Sequence, residues 1–360
     1  MSGIWGSNIK VSIFGESHGS TIGITISGLT PGLELNMDNI LREMKRRAPG
    51  RNSLATARKE DDIPEILSGV FEGSTTGAPL CAIIRNSDTR SKDYGNLKSL
   101  MRPGHGDYPG KVRYKGFNDY RGGGHFSGRI TAPLVFAGAI CKQYLEKMGI
   151  YIGAHISSIG NIKDEEFDLT TVTKNQLERL NSMELPLINS ALEGEMRDAI
   201  LKAKNEGDSI GGTIQCAIIG LEAGIGNPFF DSIESTLAHL MFSIPAIKGI
   251  EFGKGFEMAS GRGSEYKDEY YYDGDKIRTK ANNNGGVLGG ITNGMPVVFR
   301  VAVKPTSSIL MEQHTVDINK KENTILKISG RHDPCIVQRA LPVVEAATAI
   351  GLLDLIKGGL

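Results

Sequence analysis

The segment GVFEGSTTGAPLCAIIRNSDTRS, residues 69–91, aligns without a gap on GVLGGITNGMPVVFRVAVKPTSS, residues 286–308. Identities fall at Gly69/Gly286, Val70/Val287, Gly73/Gly290, Thr75/Thr292, Gly77/Gly294, Pro79/Pro296, Thr89/Thr306 and Ser91/Ser308. Hairpin-turn chemistry shared by glycine-rich loops accounts for part of the match. The last two identities lie beyond the second strand and point to a duplicated module. Two related modules place a site where they meet, and here each brings a cation close to the end of the repeat: Arg90 in the first, Lys304 in the second. The expectation is one domain over residues 1–360, with repeat modules around 8–150 and 210–357.

Outward from the repeat, strands and helices alternate. Residues 8–14 (NIKVSIF) and 21–27 (TIGITIS) alternate apolar with polar or small residues, as half-buried strands do. Further strands are expected at 65–72, 79–85, 151–159, 213–221, 247–258 and 296–303. Helical spacing marks 36–48, 130–148, 193–206, 230–242 and 337–356. In 36–48, Ile40, Leu41, Met44 and Ala48 fall on one side, and Pro49-Gly50 stops the run. The segment 161–186 is polar with one short helix. The charged, Tyr-rich, Gly-punctuated segment 260–280 reads as a mobile loop. The fold class is α+β.

Lys+Arg and Asp+Glu balance at 41 each over 360 residues, so no global field favours nucleic acid or a membrane surface. Glycine, at 46 residues, is well above its usual share of about 7%. The four cysteines are far apart, without a CxxC, and read as reduced core thiols. No signal-peptide layout opens the chain, and no apolar run approaches the ~18–20 residues of a membrane span. These features lead us to expect a cytoplasmic protein.

Chemistry concentrates in 101–131, MRPGHGDYPGKVRYKGFNDYRGGGHFSGRIT. His105, Asp107, His125 and several Arg and Lys side chains sit among glycines, with Gly122-Gly123-Gly124 just before a helix, where anions bind readily. Four other stretches add to it. The 15–19 turn exposes Glu16, Ser17 and His18; alone it reads as a polar hairpin tip, and adjacent Ser17 and His18 diverge too much to act as a nucleophile–base pair. Arg46 and Arg47 end the 36–48 helix, where cations complement the dipole. Continued by Arg51 and Arg58, the same run reads as an anion clamp. The pentad 304–308 (KPTSS) is either a Ser/Thr turn or a phosphate seat. Asp333, before Pro334, is either an N-cap for the C-terminal helix or an acid–base group.

Metal-ligand spacing is absent from the scattered histidines, as are the GxGxxG and GxxxxGK[ST] loops, so no metal, Rossmann or P-loop site is expected. No aromatic stacking series accompanies the charge, which favours a small polyanionic substrate over RNA. An RNA-binding protein would betray itself by steep salt dependence. A flavin oxidoreductase would need a separate electron acceptor.

These turns resemble those of the chorismate synthase family, over essentially the whole chain. The carriers are FGESHG at 14–19, RPGHGDY through DYRGGG at 102–124 and SGRHDPC at 329–335. RKEDD at 58–62, EILSGVFEGSTTG at 65–77, the glycine turn at 285–290 and KPTSS support them. The resemblance implies a carbon–oxygen lyase that converts 5-enolpyruvylshikimate-3-phosphate to chorismate and phosphate, using reduced FMN without net redox change. It implies a large single-domain, layered α/β sandwich with internal repeats, assembled as a homotetramer.

By the same resemblance His18 is the acid near the phosphate, His105 sets the protonation of the reduced flavin, and Asp333 relays the substrate proton through the flavin N5. Arg46, Arg47, Arg58 and Arg129 would bind the substrate's anionic groups. His125, Phe126, Ser127, Pro245, Ala246, Gly289, Lys304, Pro305, Thr306, Ser307, Ser308 and Arg331 would contact FMN. Ala48, Ser53, His125 and Ile130 depart from the family's commoner residues, Arg at the first three positions and Glu at the last. With no dinucleotide fingerprint and a short 260–280 segment, an external flavin reductant is expected. NADPH would enter only as a source of reducing equivalents.

Overall fold

The structure is a computed structural model and describes residues 3–50, 54, 60–87, 97–328 and 332–358. Its first half runs β1 (Ile4–Trp5), β2 (Lys10–Gly15), β3 (Thr21–Ser27), α1 (Met37–Arg47), β4 (Pro64–Ser68), the hairpin β5 (Val70–Phe71) and β6 (Ser74–Thr75), β7 (Leu80–Arg85), α2 (Asp107–Arg113) and α3 (Thr131–Lys147). The second half begins with β8 (Tyr151–Ile159), β9 (Ile162–Lys163), α4 (Lys174–Ser182), α5 (Glu193–Asn205), β10 (Gly212–Ile219), α6 (Ile233–Ser243) and β11 (Ile247–Phe252). Hairpins β12 (Tyr270–Asp273) with β13 (Lys276–Thr279) and β14 (Val287–Leu288) with β15 (Ile291–Thr292) follow. The chain closes with β16 (Val297–Val303), the hairpin β17 (Gln313–Asp317) with β18 (Glu322–Leu326), and α7 (Val337–Lys357).

Two antiparallel five-stranded sheets form the outer layers, ordered β1-β2-β3-β7-β4 and β9-β8-β10-β16-β11. Four positions correspond (β2/β8, β3/β10, β7/β16 and β4/β11), while the edge strand β1 precedes its neighbour in the chain and β9 follows its own. The small hairpins correspond down to single hydrogen bonds. The Thr75 hydroxyl donates to the Thr30 carbonyl (2.6 Å) and accepts from Leu33 N (3.0 Å). Thr292 donates to the Glu222 carbonyl (2.7 Å) and accepts from Ile225 N (2.9 Å) in the same way.

Between the sheets lie the helices. In β3 and β7, buried Ile22, Ile24, Ile26, Leu80, Ala82 and Ile84 recur at every second position, which gives the first sheet one core face. The second sheet is covered on both faces, and β8 is buried along nearly its whole length. Phe167, Val172, Leu177 and Leu180 cap its outer side against Ala217 and Val298. Helices α3 and α7 form the centre and are apolar all round, as inner-layer helices must be. They cross where a Cβ on Gly138 would lie 2.3 Å from the Ala346 Cα, so the backbones meet without an intervening side chain.

A charged knot sits inside this apolar layer. Glu345 of α7, fully buried, binds Arg46 of α1 through both oxygens (2.6 and 2.9 Å), Lys142 of α3 (2.9 Å) and the backbone N–H of Ala154 in β8 (3.0 Å). Glu43 completes the set, 2.7 Å from Arg46 and 3.3 Å from Lys142. Burial opposes ionisation of Glu43, but Lys142 and Arg46 prevail and hold it down at about 2. Arg46, expected to bind substrate, is therefore a core cation, and that expectation is corrected: its fork is filled by two carboxylates.

Three local expectations also change. The 260–280 segment contains β12–β13 rather than only a loop, its strands joined at Gly274-Asp275, with Gly274 at φ +62°. Asp333 does not cap α7, whose preceding residue is Ile336. Leu41 is 38% exposed, at the margin of the α1 stripe.

Glu345→Ala leaves Arg46 and Lys142 sharing one acid in the core, and is expected to lower unfolding free energy by about 3–5 kcal/mol. Glu43's lowered pKa stabilises the fold above its ordinary value of 4.5, and that contribution fades as pH falls towards 2. Denaturant midpoints of wild type and variant across that range check both points; an unchanged midpoint at pH 7 contradicts the role given to Glu345.

Candidate active site

A cleft of about 610 Å³ opens between the two halves of the chain. One wall comes from the end of α1 (Arg47), the 102–106 loop, and residues 125–131 leading into α3. The other comes from residues 242–248 between α6 and β11, the 304–308 turn after β16, and 332–333 with the first turns of α7. Among the described residues the lining is strongly cationic. Arg47, Arg102, Arg129, Lys248, Lys304 and Arg339 face a lone carboxylate, Asp333.

Arg47 and Arg129 are clamped from behind by one acid. Arg47 Nη1 meets Asp62 Oδ2 at 2.8 Å, and Arg129 Nη1 pairs with Asp62 Oδ1. Arg47 also donates to Thr131 Oγ1 (3.2 Å) and the Gly128 carbonyl (2.8 Å), and Arg129 to Asn86 Oδ1 (3.0 Å). Burial disfavours the Asp62 carboxylate, yet the two guanidinium groups keep it ionised below the usual range. Burial also weakens the Arg47 cation, and Arg339 and Arg129 oppose it against the support of Asp62. Guanidinium stays protonated at neutral pH, so the result is surplus positive charge that an incoming anion relieves.

His105 is held by a carboxylate. Its Nδ1 lies 2.7 Å from Asp107 Oδ1, with Arg102 Nη2 at 3.1 Å. Burial opposes the Asp107 charge, but bonds from Arg102 and His105 hold its pKa far below normal. A carboxylate this firmly ionised only accepts, so Nδ1–H points to Asp107 and Nε2 is left for the cleft. The triple-glycine turn sits between this imidazole and His18. A Cβ on Gly122, at φ +58°, would fall 2.2 Å from the His18 ring, and one on Gly123 would come within 3.4 Å of His105 Nε2. Thus His18, 8% exposed, lies directly behind Gly122 rather than on the cleft lining.

The second-half wall suits a flavin phosphate and ring. Lys304 Nζ reaches the Gly104 carbonyl, Ser308 Oγ accepts from Arg102 (3.0 Å), and Thr306 Oγ1 donates to the Asp333 carbonyl (3.0 Å). A Cβ on Gly104 would lie 3.5 Å from the Ser307 Cβ, so the two loops meet edge to edge. Ala246 holds φ +76°, a strained conformation for a residue with a Cβ, on the cleft rim beside Pro245. Phe126, 36% exposed, offers an apolar face, and His125 Nδ1 is anchored to the Gly15 carbonyl at 2.9 Å. Hydroxyls and a cation for a phosphate, with apolar surface for a ring, make a donor set that fits FMN.

The cleft therefore gathers Arg47, Arg129, His105, His125, Phe126, Ser127, Pro245, Ala246, residues 304–308 and Asp333. It leaves out Arg46, His18, which lies behind Gly122, and Gly289, which occupies the β14–β15 turn with open space where a Cβ would be. Arg58 and Arg331 lie outside the described residues. Residue-by-residue reading gave no separate role to Asp62, Asp107, Arg102 or Arg339. The first three sit inside quoted motifs, where an acid two to five residues from a basic or imidazole group was the available signal. Arg339 carried none, because in sequence it is one more polar residue on an apolar helix. No group of His, Cys, Asp and Glu suited to a metal occurs among the described residues.

Comparison with known proteins agrees with this geometry. The family model described as chorismate synthase matches residues 9–356. A chorismate synthase of Pyrococcus abyssi is 45% identical over 348 residues, covering 96% of this chain and 95% of that protein. One of Methanothermobacter thermautotrophicus is 43% identical over 356 residues, covering 98% and 94%. A crystal structure of chorismate synthase superposes with a TM-score of 0.74 at 30% identity, covering 98% of this chain and 92% of that one. The chain belongs to the chorismate synthase family.

Proposed function

We propose that this cleft carries out the family's reaction, the anti 1,4-elimination of phosphate from 5-enolpyruvylshikimate-3-phosphate to give chorismate. The observation that carries the reading is the cationic cleft built by both halves of the chain, holding one carboxylate and one Asp-anchored imidazole. In the reaction the substrate loses a proton at one carbon. The electron pair left behind forms the new double bond system, and the C–O bond to phosphate breaks at the far end. Reduced FMN, when bound, supplies electron density that assists phosphate departure and is recovered without net redox change.

The chain's own residues take the remaining tasks. Arg47 and Arg129 bind the substrate's anionic groups, each charge-assisted bond contributing about 1.5–3 kcal/mol. Because Asp62 already fixes both guanidinium groups, little side-chain entropy is lost when the substrate arrives. His18, across Gly122, supplies the proton to the departing phosphate. His105, its Nδ1 committed to Asp107, holds a proton position at Nε2 beside the cofactor. Asp333 accepts the proton that the substrate loses. Arg58 and Arg331 are assigned to substrate and cofactor by their motifs.

Lys304, Thr306, Ser307 and Ser308 form the phosphate side of the FMN seat, with Pro305, Pro245, Ala246, Phe126, Ser127 and His125 around it. The flavin is reduced by an external partner, with NADPH as a source of electrons for that partner, and the enzyme works in the cytoplasm. No helix among the described residues is long and apolar enough to cross a membrane. The chain forms one duplicated domain, and the corresponding sheet orders favour starting its second module at Tyr151 rather than at 210.

His105→Ala and Asp333→Asn are expected to fold with near-normal melting temperature and to lose turnover by about two orders of magnitude or more. Near wild-type rates under saturating reduced FMN would remove the role assigned to whichever residue was changed. A homotetramer is proposed as well, supported by solvent-facing Phe229, Phe230 and Phe256, each more than four-fifths exposed. Light scattering should give four times the 38.8 kDa chain mass; a monomer or dimer would overturn it.

A further inference from the structure

Arg339 lies in the first turn of α7, where the positive end of the helix disfavours a cation. Two partners offset that cost. Its Nη1 pairs with Asp333 Oδ2, and its Nε donates to the Arg47 carbonyl at 3.2 Å, at the negative end of α1. Asp333 is fixed from its other side by the Thr306 hydroxyl, which donates to its backbone carbonyl at 3.0 Å. Arg339 thus touches the two cleft features furthest apart in sequence: the α1 terminus that carries Arg47, and the carboxylate before α7. It also lies close enough to the Arg47 guanidinium to oppose its charge.

We propose that Arg339 is a positioning residue for the elimination: it holds the Asp333 carboxylate in one orientation and ties that aim to the α1 end that carries Arg47. The inference rests on the reading of Asp333 as the group that takes the substrate proton. A carboxylate paired with a guanidinium fork is held in one rotamer by it. A simple structural pin between α1 and α7 would stabilise the fold but would leave turnover of the folded variant unchanged.

The test compares wild type, Arg339→Gln, Arg339→Lys and Asp333→Asn, each checked for folding by circular dichroism and melting temperature. kcat and KM are measured with reduced FMN held saturating. Arg339→Gln is expected to lower kcat about tenfold or more, with KM within about threefold. Arg339→Lys keeps the charge without the planar fork, so it should recover only part of the lost kcat, again at near wild-type KM. If Arg339→Gln does not fold, Arg339→Lys decides; a kcat within about twofold of wild type would overturn the proposal. An unchanged kcat in folded Arg339→Gln, or a loss carried by KM instead, with Asp333→Asn inactive, overturns the positioning role alone. Near wild-type turnover in Asp333→Asn overturns the reading of Asp333, and this proposal with it.

Discussion

Glu345 is the fixed point of the molecule. Buried on the central helix, its two oxygens collect Arg46 from α1, Lys142 from α3 and a backbone N–H from β8, so both halves of the chain close on one carboxylate. Two acids and two bases meet there, counting Glu43, so the apolar layer carries no net charge. Such a cluster contributes less to stability than well-packed hydrocarbon would, but it penalises any misalignment heavily. It sets how α1 lies against α7, and that angle decides where the next residue on α1 goes. Arg46 turns inward to Glu345; Arg47 turns to the cleft.

The cleft then follows from duplication. Each half contributes a sheet, a hairpin and a long central helix, and the loops at one end of each half face each other. The first half supplies the guanidinium pair on Asp62 and the imidazole on Asp107. The second supplies the hydroxyl-rich turn at 304–308 and Asp333. In the first half an acid behind the lining holds each cationic or imidazole group at the surface, and the lining itself stays positive. A polyanionic substrate with a departing phosphate is the chemistry such a surface suits.

Much of this was legible in the sequence, and what was not has physical reasons. Period-2 alternation in 21–27 and helical spacing at Ile40 and Met44 located β3 and α1, because burial on one face leaves that pattern. Arg46 and Arg47 could not be separated that way. Adjacent helical residues flank the same stripe, and the acid that claims Arg46 is 299 positions away. Asp333 before Pro334 looks like an N-cap; only the folded chain reveals Arg339 pulling its side chain aside. The 260–280 segment looked like a loop from its charge, yet its Gly274-Asp275 pair is a two-residue hairpin turn with paired strands on both sides. Gly289 came from a motif whose match in sequence did not bring it to the cleft of its own chain.

The central claim is that this cationic, two-module cleft eliminates phosphate from its substrate with a flavin that is needed but not consumed. The most direct measurement is anaerobic incubation of the enzyme with 5-enolpyruvylshikimate-3-phosphate and substoichiometric reduced FMN, following phosphate, chorismate and flavin absorbance together. The account predicts equimolar phosphate and chorismate, many turnovers per flavin, and flavin still reduced at the end. Equal phosphate release without reduced flavin, or one flavin oxidised for each product formed, would contradict it.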